Sequence, residues 1–510
     1  MQWLPGVAIL AGIGRLSRSI HVRGEAVAVP GRSCKHVCQS GNMIMSGRLR
    51  TLAPHPMPST RARPRATGLF WCCVTMIVIQ FILSHNVLKA LGYNGNMHPV
   101  TLLPAVCAFF GVVSGIIPLQ QRMRDAPGLM MFVFGIPVIM LYSICFTGFS
   151  GCTVFLESFW APGVFALLLE PATAKQKRLL GGILIAFVAG NIVIALYESL
   201  TQTALFPLVF DPDAAQTLDD FAEDFRAHAF YDHPLTAALV TSMAFFLLYS
   251  MRMRLILAAP IFGLMLLGLL AYGGRTALVI TVIVSVVLAI YRLLAGLMKR
   301  KLSAEFLMAI GLAAVIVPLV VTVVVTQTTI ADRIIHSLYY DDSAEARATQ
   351  WDVFRYLSLK DWLFGISKDH LIALKYQIGL GSNDTDIENF WILIFLDLGV
   401  IGFTVFVTVF CGFLLHLGRY AQSLNAWLLI GCALVIDSSS NSLGVWSIDL
   451  FMETAFVVAI AGFSGYQPIP VFRPAAGTLP APQPFGSRSR SLALTAAPLS
   501  LPNLRAGKPG

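Results

Sequence analysis

The chain has 510 residues, of which 56% are hydrophobic and only 12% charged, with a formal net charge of +9. About a quarter of the residues in an ordinary soluble domain are charged, so this composition excludes a soluble enzyme and predicts an all-α, polytopic integral membrane protein. Lys and Arg fall in short clusters between apolar spans rather than along one face, which argues against nucleic-acid binding.

In chain order, residues 1–67 are Arg-rich, carry Pro54, Pro56, Pro58 and Pro64, and lack sustained periodicity. They read as a basic, disordered extension. The apolar patch at 3–13 has neither a basic region before it nor a cleavage site after it, so no signal peptide is expected, and Met43, Met45 and Met57 offer internal starts. Cys34, His36 and Cys38 have a ligand-like spacing, but no second pair follows, so neither metal nor cofactor is expected. Cys72, Cys73, Cys107, Cys145, Cys411 and Cys432 lie inside apolar stretches as small hydrophobes.

About twelve transmembrane helices are predicted, near 68–84, 99–120, 128–149, 157–171, 179–198, 234–250, 255–272, 276–297, 306–327, 389–417, 424–440 and 443–464. The stretch from 389 is long for one crossing, so it tilts or begins outside the hydrocarbon. Threading the spans from a cytoplasmic N-terminus puts Arg122, Arg124, Lys175, Lys177, Arg178, Arg252, Arg254, Lys299, Arg300, Lys301 and Arg419 all inside. The other face receives two large loops, about 199–233 and 328–388, the first carrying seven carboxylates against the lone Arg226. The membrane domain is thus 68–465, followed by a Pro-rich, disordered cytoplasmic tail at 466–510. No repeat relates the halves, as a two-repeat carrier would require. External elaborations favour an enzyme over a twelve-helix transporter.

Four segments at the outer surface carry chemistry. Residues 226–234 read Arg-Ala-His-Ala-Phe-Tyr-Asp-His-Pro. Residues 272–276 form the tight turn Tyr-Gly-Gly-Arg-Thr. Residues 347–365 hold Arg-x-x-x-Trp and then Asp-Trp-Leu-Phe-Gly. Residues 388–391 read Glu-Asn-Phe-Trp, with Gly399-Val400-Ile401-Gly402 beyond.

With these motifs in this order, the chain resembles the O-antigen ligase and polymerase superfamily (Wzy and WaaL proteins), over roughly 180–405, and within it the exopolysaccharide polymerases. The ligases usually carry His before the Asn; this chain has Glu388, which favours a polymerase. The resemblance implies glycan transfer from undecaprenyl diphosphate to a lipid-linked repeat unit at the periplasmic face of the bacterial inner membrane. Both termini would be cytoplasmic, no metal would be needed, and a flippase and a chain-length regulator would be partners. Transfer to lipid A core or to protein is the alternative.

A departing diphosphate needs neutralisation, which the planar Arg fork supplies bidentately. Arg275 either does this, with Gly273 and Gly274 letting backbone approach, or pairs with a carboxylate or the headgroups. Arg347, Trp351 and Arg355 are four apart and would share one helix face, holding phosphates or resting on lipid. Arg226 reaches the diphosphate or pairs with Glu223 or Asp224. Glu388 is the candidate base, or a helix cap. Asn389 orients that base, binds a sugar hydroxyl or caps; His233, before Pro234, binds phosphate or sugar or a neighbouring backbone group. Trp362, Trp391 and Trp446 are expected as interfacial anchors, with stacking on sugar rings the alternative, and Glu198, Asp437, Asp449 and Glu453 are acids near spans with no assigned task.

Overall fold

The computed structural model describes residues 64–93, 95, 97–148, 152–206, 225–251, 253–298, 349–379, 387, 389–440 and 448–464. Outside them lie Arg347, Glu388, Trp446, the expected span at 306–327, the 466–510 tail and nearly all of the N-terminal extension.

All regular elements among the described residues are helical. The first three are α1 (Pro64–Ile82), the short α2 (His85–Ala90) and, after a 3₁₀ turn at Pro99–Leu102, α3 (Leu103–Val113). Next come α4 (Leu119–Asp125), α5 (Pro127–Phe146) and α6 (Cys152–Leu169), whose Phe155–Trp160 portion is a π-helix. Helix α7 (Ala174–Thr201) opens on a Thr173–Gln176 capping box. Pro at the first turn starts α8 (Pro234–Ser250), and α9 (Leu255–Ala271) and α10 (Arg275–Met298) follow. A 3₁₀ turn at Gln350–Arg355 leads to α11 (Leu359–Phe364), α12 (Lys368–Gln377), α13 (Phe390–Ala421), α14 (Leu424–Ser440) and α15 (Asp449–Phe463).

Helices α5, α6, α7, α10 and α13 are long and apolar enough to cross a bilayer, and shorter apolar helices accompany them. Large apolar side chains along α10, including Val279, Ile283, Val286, Val287, Ile290 and Leu294, stay exposed, as on a lipid-facing surface. Helix α8 is the opposite case: only its Leu235 and Tyr249 reach partial exposure. A helix apolar all round belongs at the centre of a bundle; α7, α9, α10, α14 and α15 surround it.

The long stretch from 389 resolves its excess length by breaking. Gly399 in α13 has φ 60° and ψ −179°, open only to glycine. The Leu363-Phe364-Gly365 backbone fills the break: a methyl group on Gly399 would come within 2.5 Å of Gly365 N and Phe364 N. Ile366 N donates to the Leu396 carbonyl at 2.8 Å, and Tyr142 Oη to that of Leu398 at 3.1 Å, satisfying groups the break frees. Two of the sequence motifs, Leu-Phe-Gly and Gly-x-x-Gly, are thus halves of one backbone interlock.

One end of the bundle is clasped around Glu170, whose carboxylate holds Arg122 and His416 while its carbonyl accepts from Tyr420 Oη at 3.1 Å. Lys177 lies over the Tyr420 ring, and Arg178 Nε donates to the Gly462 carbonyl at 2.7 Å. The candidate residues gather at the other end.

Candidate functional site

Two segments far apart in sequence meet at the N-terminus of α8. Residues 225–233 lead into it, and the 272–274 turn lies against it: a methyl group on Gly274 would collide with Ala238 of α8, and one on Gly273 would sit 3.6 Å from Arg226 Cδ. Arg226 and Arg275, both partly buried, therefore flank one turn. The N-termini of α8 and α10 open beside it, adding the positive ends of two helix dipoles.

Glu198, in the last turn of α7 and fully buried, holds the incoming segment. Its Oε2 accepts from His228 N at 3.0 Å and Ala229 N at 2.9 Å, and its Oε1 from Leu205 N at 2.9 Å. Asn191 Oδ1 accepts from Phe230 N at 3.3 Å. Ala229 adopts φ 51°, a left-handed conformation that costs a non-glycine residue of order 1–3 kcal/mol and persists where surroundings impose it. Tyr231 and Tyr272 meet edge to face with ring centroids 6.4 Å apart, and burial pushes the Tyr231 phenol far above its ordinary pKa, so it stays protonated.

His233 caps α8: its Nδ1 accepts from Leu235 N at 3.2 Å, so the ring proton sits on Nε2. Although the residue is exposed, the surrounding protein and then the Arg226 guanidinium push its pKa down to about 4. It is therefore a neutral hydrogen-bond donor.

A second cluster adjoins. His85 Nε2 lies 3.1 Å from Glu157 Oε1, on the π-helical turn of α6, and Glu157 Oε2 accepts from His98 N at 3.4 Å. Burial lowers the His85 pKa, but the Glu157 hydrogen bond and charge outweigh it and raise the value above the ordinary one. A small pocket beside Glu157 is lined by Gln80, Thr101 and Phe451. Sequence reasoning passed over His85 and Glu157, which are 72 residues apart in the chain.

The third and fourth segments also meet. Asn389 caps α13, its Oδ1 accepting from Trp391 N at 3.0 Å and Ile392 N at 3.2 Å. Its own N–H donates to Oε1 of the buried Gln350 at 3.2 Å, tying it beside Trp351. The expected shared helix face is corrected: Gln350–Arg355 is a 3₁₀ turn, where residues three apart align, and Arg355 pairs with Asp352 at 3.1 Å. Trp351 stays exposed and within ring contact of Phe354. The Trp391 indole donates to Ser438 Oγ of α14 at 2.7 Å.

These features define a class: a helical membrane protein with an arginine-flanked, polar site at one end of its bundle. Residues 260–407 match the Wzy_C family model, described as O-Antigen ligase. The matched segment runs from α9 into α13 and contains Arg275, Trp351, Asn389 and the interlock. It begins later than the 180 expected from sequence, leaving Arg226, His228 and His233 outside it. No curated protein and no solved structure matches the chain.

Proposed function

We propose that this ligase/polymerase-type protein is a polysaccharide polymerase of the bacterial inner membrane, with twelve spans and both termini in the cytoplasm. It moves a growing glycan from undecaprenyl diphosphate to the hydroxyl of a second lipid-linked repeat unit at the periplasmic face. A flippase supplies that unit and a chain-length regulator sets product size. The supporting observation is the meeting of Arg226 with the Gly273–Arg275 turn at the N-terminus of α8. Two guanidiniums and two helix N-termini suit a diphosphate that departs already anionic. Arg347 is a third cation for the same role, and Glu388 is the carboxylate that the sequence offers for the proton. Glu388 in place of the ligases' His favours polymerase over ligase.

The test is glycan profiling of a deletion strain. A polymerase null accumulates single repeat units on the carrier. Long carrier-linked chains would instead identify a ligase, and substrate trapped in the cytosol a transporter.

A further inference from the structure

Two helices measure the bilayer from the Glu170 clasp. Helix α5 has 20 residues and rises about 30 Å, the thickness of a hydrocarbon layer. It starts close after Arg122 of the clasp and runs antiparallel against α13: a methyl group on Gly128 would strike the Gly412 carbonyl, and one on Gly402 would come within 2.7 Å of the Tyr142 ring. The part of α13 beyond its break, Val400–Ala421, rises about 33 Å and ends beside the same clasp, where Tyr420 meets Glu170. Phe146 at the far end of α5 and the break at Gly399 therefore lie at one level, a hydrocarbon thickness from the clasp. Phe390–Leu398 stands beyond it.

Helix α11 sits on both marks. Phe364 stacks on Phe146 with ring centroids 4.8 Å apart, its carbonyl accepts from Tyr142 Oη at 3.5 Å, and the backbone at Leu363–Gly365 fills the break. Leu359, Trp362 and Leu363 are three and four residues apart and share one helix face; they are 77%, 37% and 37% exposed. Asp361 is drawn off that face, its carboxylate accepting from Ser358 N at 3.0 Å and from Ser358 Oγ at 2.7 Å. The Trp362 ring lies 5.3 Å from that of Phe395, and Phe395 lies 5.6 Å from Phe403, which shares a flank of α13 with the exposed Val400. A stripe of large apolar side chains at this depth, continuous with the side of a spanning helix, fits acyl chains rather than water.

We propose that α11 is an interfacial anchor whose partner is the phospholipid surface. Leu359 and Leu363 lie among the acyl carbons nearest the headgroups, and Trp362 lies at headgroup level. Lys360, exposed beside that face, extends its amine to the lipid phosphates. The anchor also sets the height of the entry to α13. Trp362 lies 5.5 Å from Phe354 of the 3₁₀ turn, and Gln350 of the same turn accepts from Asn389 N at 3.2 Å. Contact with lipid thus reaches the Asn389 cap through packed rings and one hydrogen bond, whichever reaction the site performs.

The experiment places nitroxide labels at single cysteines of the full chain, in a background lacking native cysteines, in vesicles of phosphatidylethanolamine and phosphatidylglycerol. Relaxation by oxygen, which concentrates in hydrocarbon, is compared with relaxation by a water-soluble nickel chelate. Val405→Cys and Thr203→Cys, both at exposed positions, supply the lipid and water references. Labels at Leu359→Cys and Leu363→Cys should favour oxygen over nickel, as at Val405→Cys, with the order reversed at Thr203→Cys. Nickel-favoured labels at both positions would put α11 in water, and labels shielded from both reagents would mean that a protein covers the face; either result overturns the anchor. Trp362→Phe keeps an aromatic ring and needs no label. The fluorescence lost between wild type and this variant should be the part quenched by lipids brominated high on the acyl chain, and a lost component that those lipids leave unquenched would refute the placement.

Discussion

Arg275 and His233 do different electrostatic work a few ångströms of backbone apart. Arg275 begins α10 just after a glycine pair that packs on α8, so its charge is anchored beside two helix N-termini, where the proposed diphosphate would lie. Lys keeps the charge but not the planar fork. Arg275→Lys should therefore retain a few per cent of kcat/KM and Arg275→Ala lose roughly a hundredfold or more, measured by single-turnover transfer; equal activities for both would remove bidentate recognition. His233, with its pKa pushed down to about 4, is neutral throughout the range in which the enzyme would be assayed. His233→Asn, which keeps the cap on Leu235 N, should raise donor KM about tenfold and leave the pH–rate profile unaltered; a shifted profile would show that His233 titrates during turnover.

Among elements, the interlock between α11 and broken α13 matters most for shape. Gly399 cannot gain a methyl group without striking the Phe364-Gly365 backbone in a conformation that L residues avoid. Gly399→Ala should cost roughly 2–4 kcal/mol and lower the melting temperature in detergent, whereas an unchanged melt would mean that the break relaxes freely. The π-helical turn of α6 points Glu157 at His85. Because Glu157 raises the His85 pKa in the fold, the pair's contribution to stability is complete below about 6.5, the ordinary histidine value, and fades as pH rises through the raised one. Glu157→Gln should flatten that decline in melts from about pH 5 to 9, and parallel curves for the two proteins would show that the pair carries no such linkage.

For the whole molecule, the two ends of the bundle have opposite chemistry. The Glu170 clasp joins Arg122, His416 and Tyr420, while the other end gathers Arg226 and Arg275. Single cysteines at Thr173 and Thr203, both exposed and bracketing α7, should react with an impermeant maleimide from opposite sides of inverted and right-side-out vesicles, in a background lacking native cysteines. Labelling of Thr203→Cys from the cytosol would remove the proposed donor.

Composition and hydropathy alone determined that the chain is helical and belongs in a membrane, and where the apolar helices among its described residues lie. These are local properties: a helix closes its own hydrogen bonds, and an apolar run of sufficient length has few other destinations. Short motifs with unusual backbone needs, such as Gly273-Gly274 and Gly399, also announced themselves, but not what they do: the Leu-Phe-Gly and Gly-x-x-Gly pieces proved to be one joint, and Trp351 and Arg355 met a 3₁₀ turn. Only tertiary structure decided that Glu198 clamps His228, which lies 30 residues away, that Gln350 ties down Asn389 across 39, and that Tyr142 reaches Leu398 across 256. Such pairings have no period and no spacing to read. They exist because burial forces each polar group to find a partner wherever the packed helices supply one.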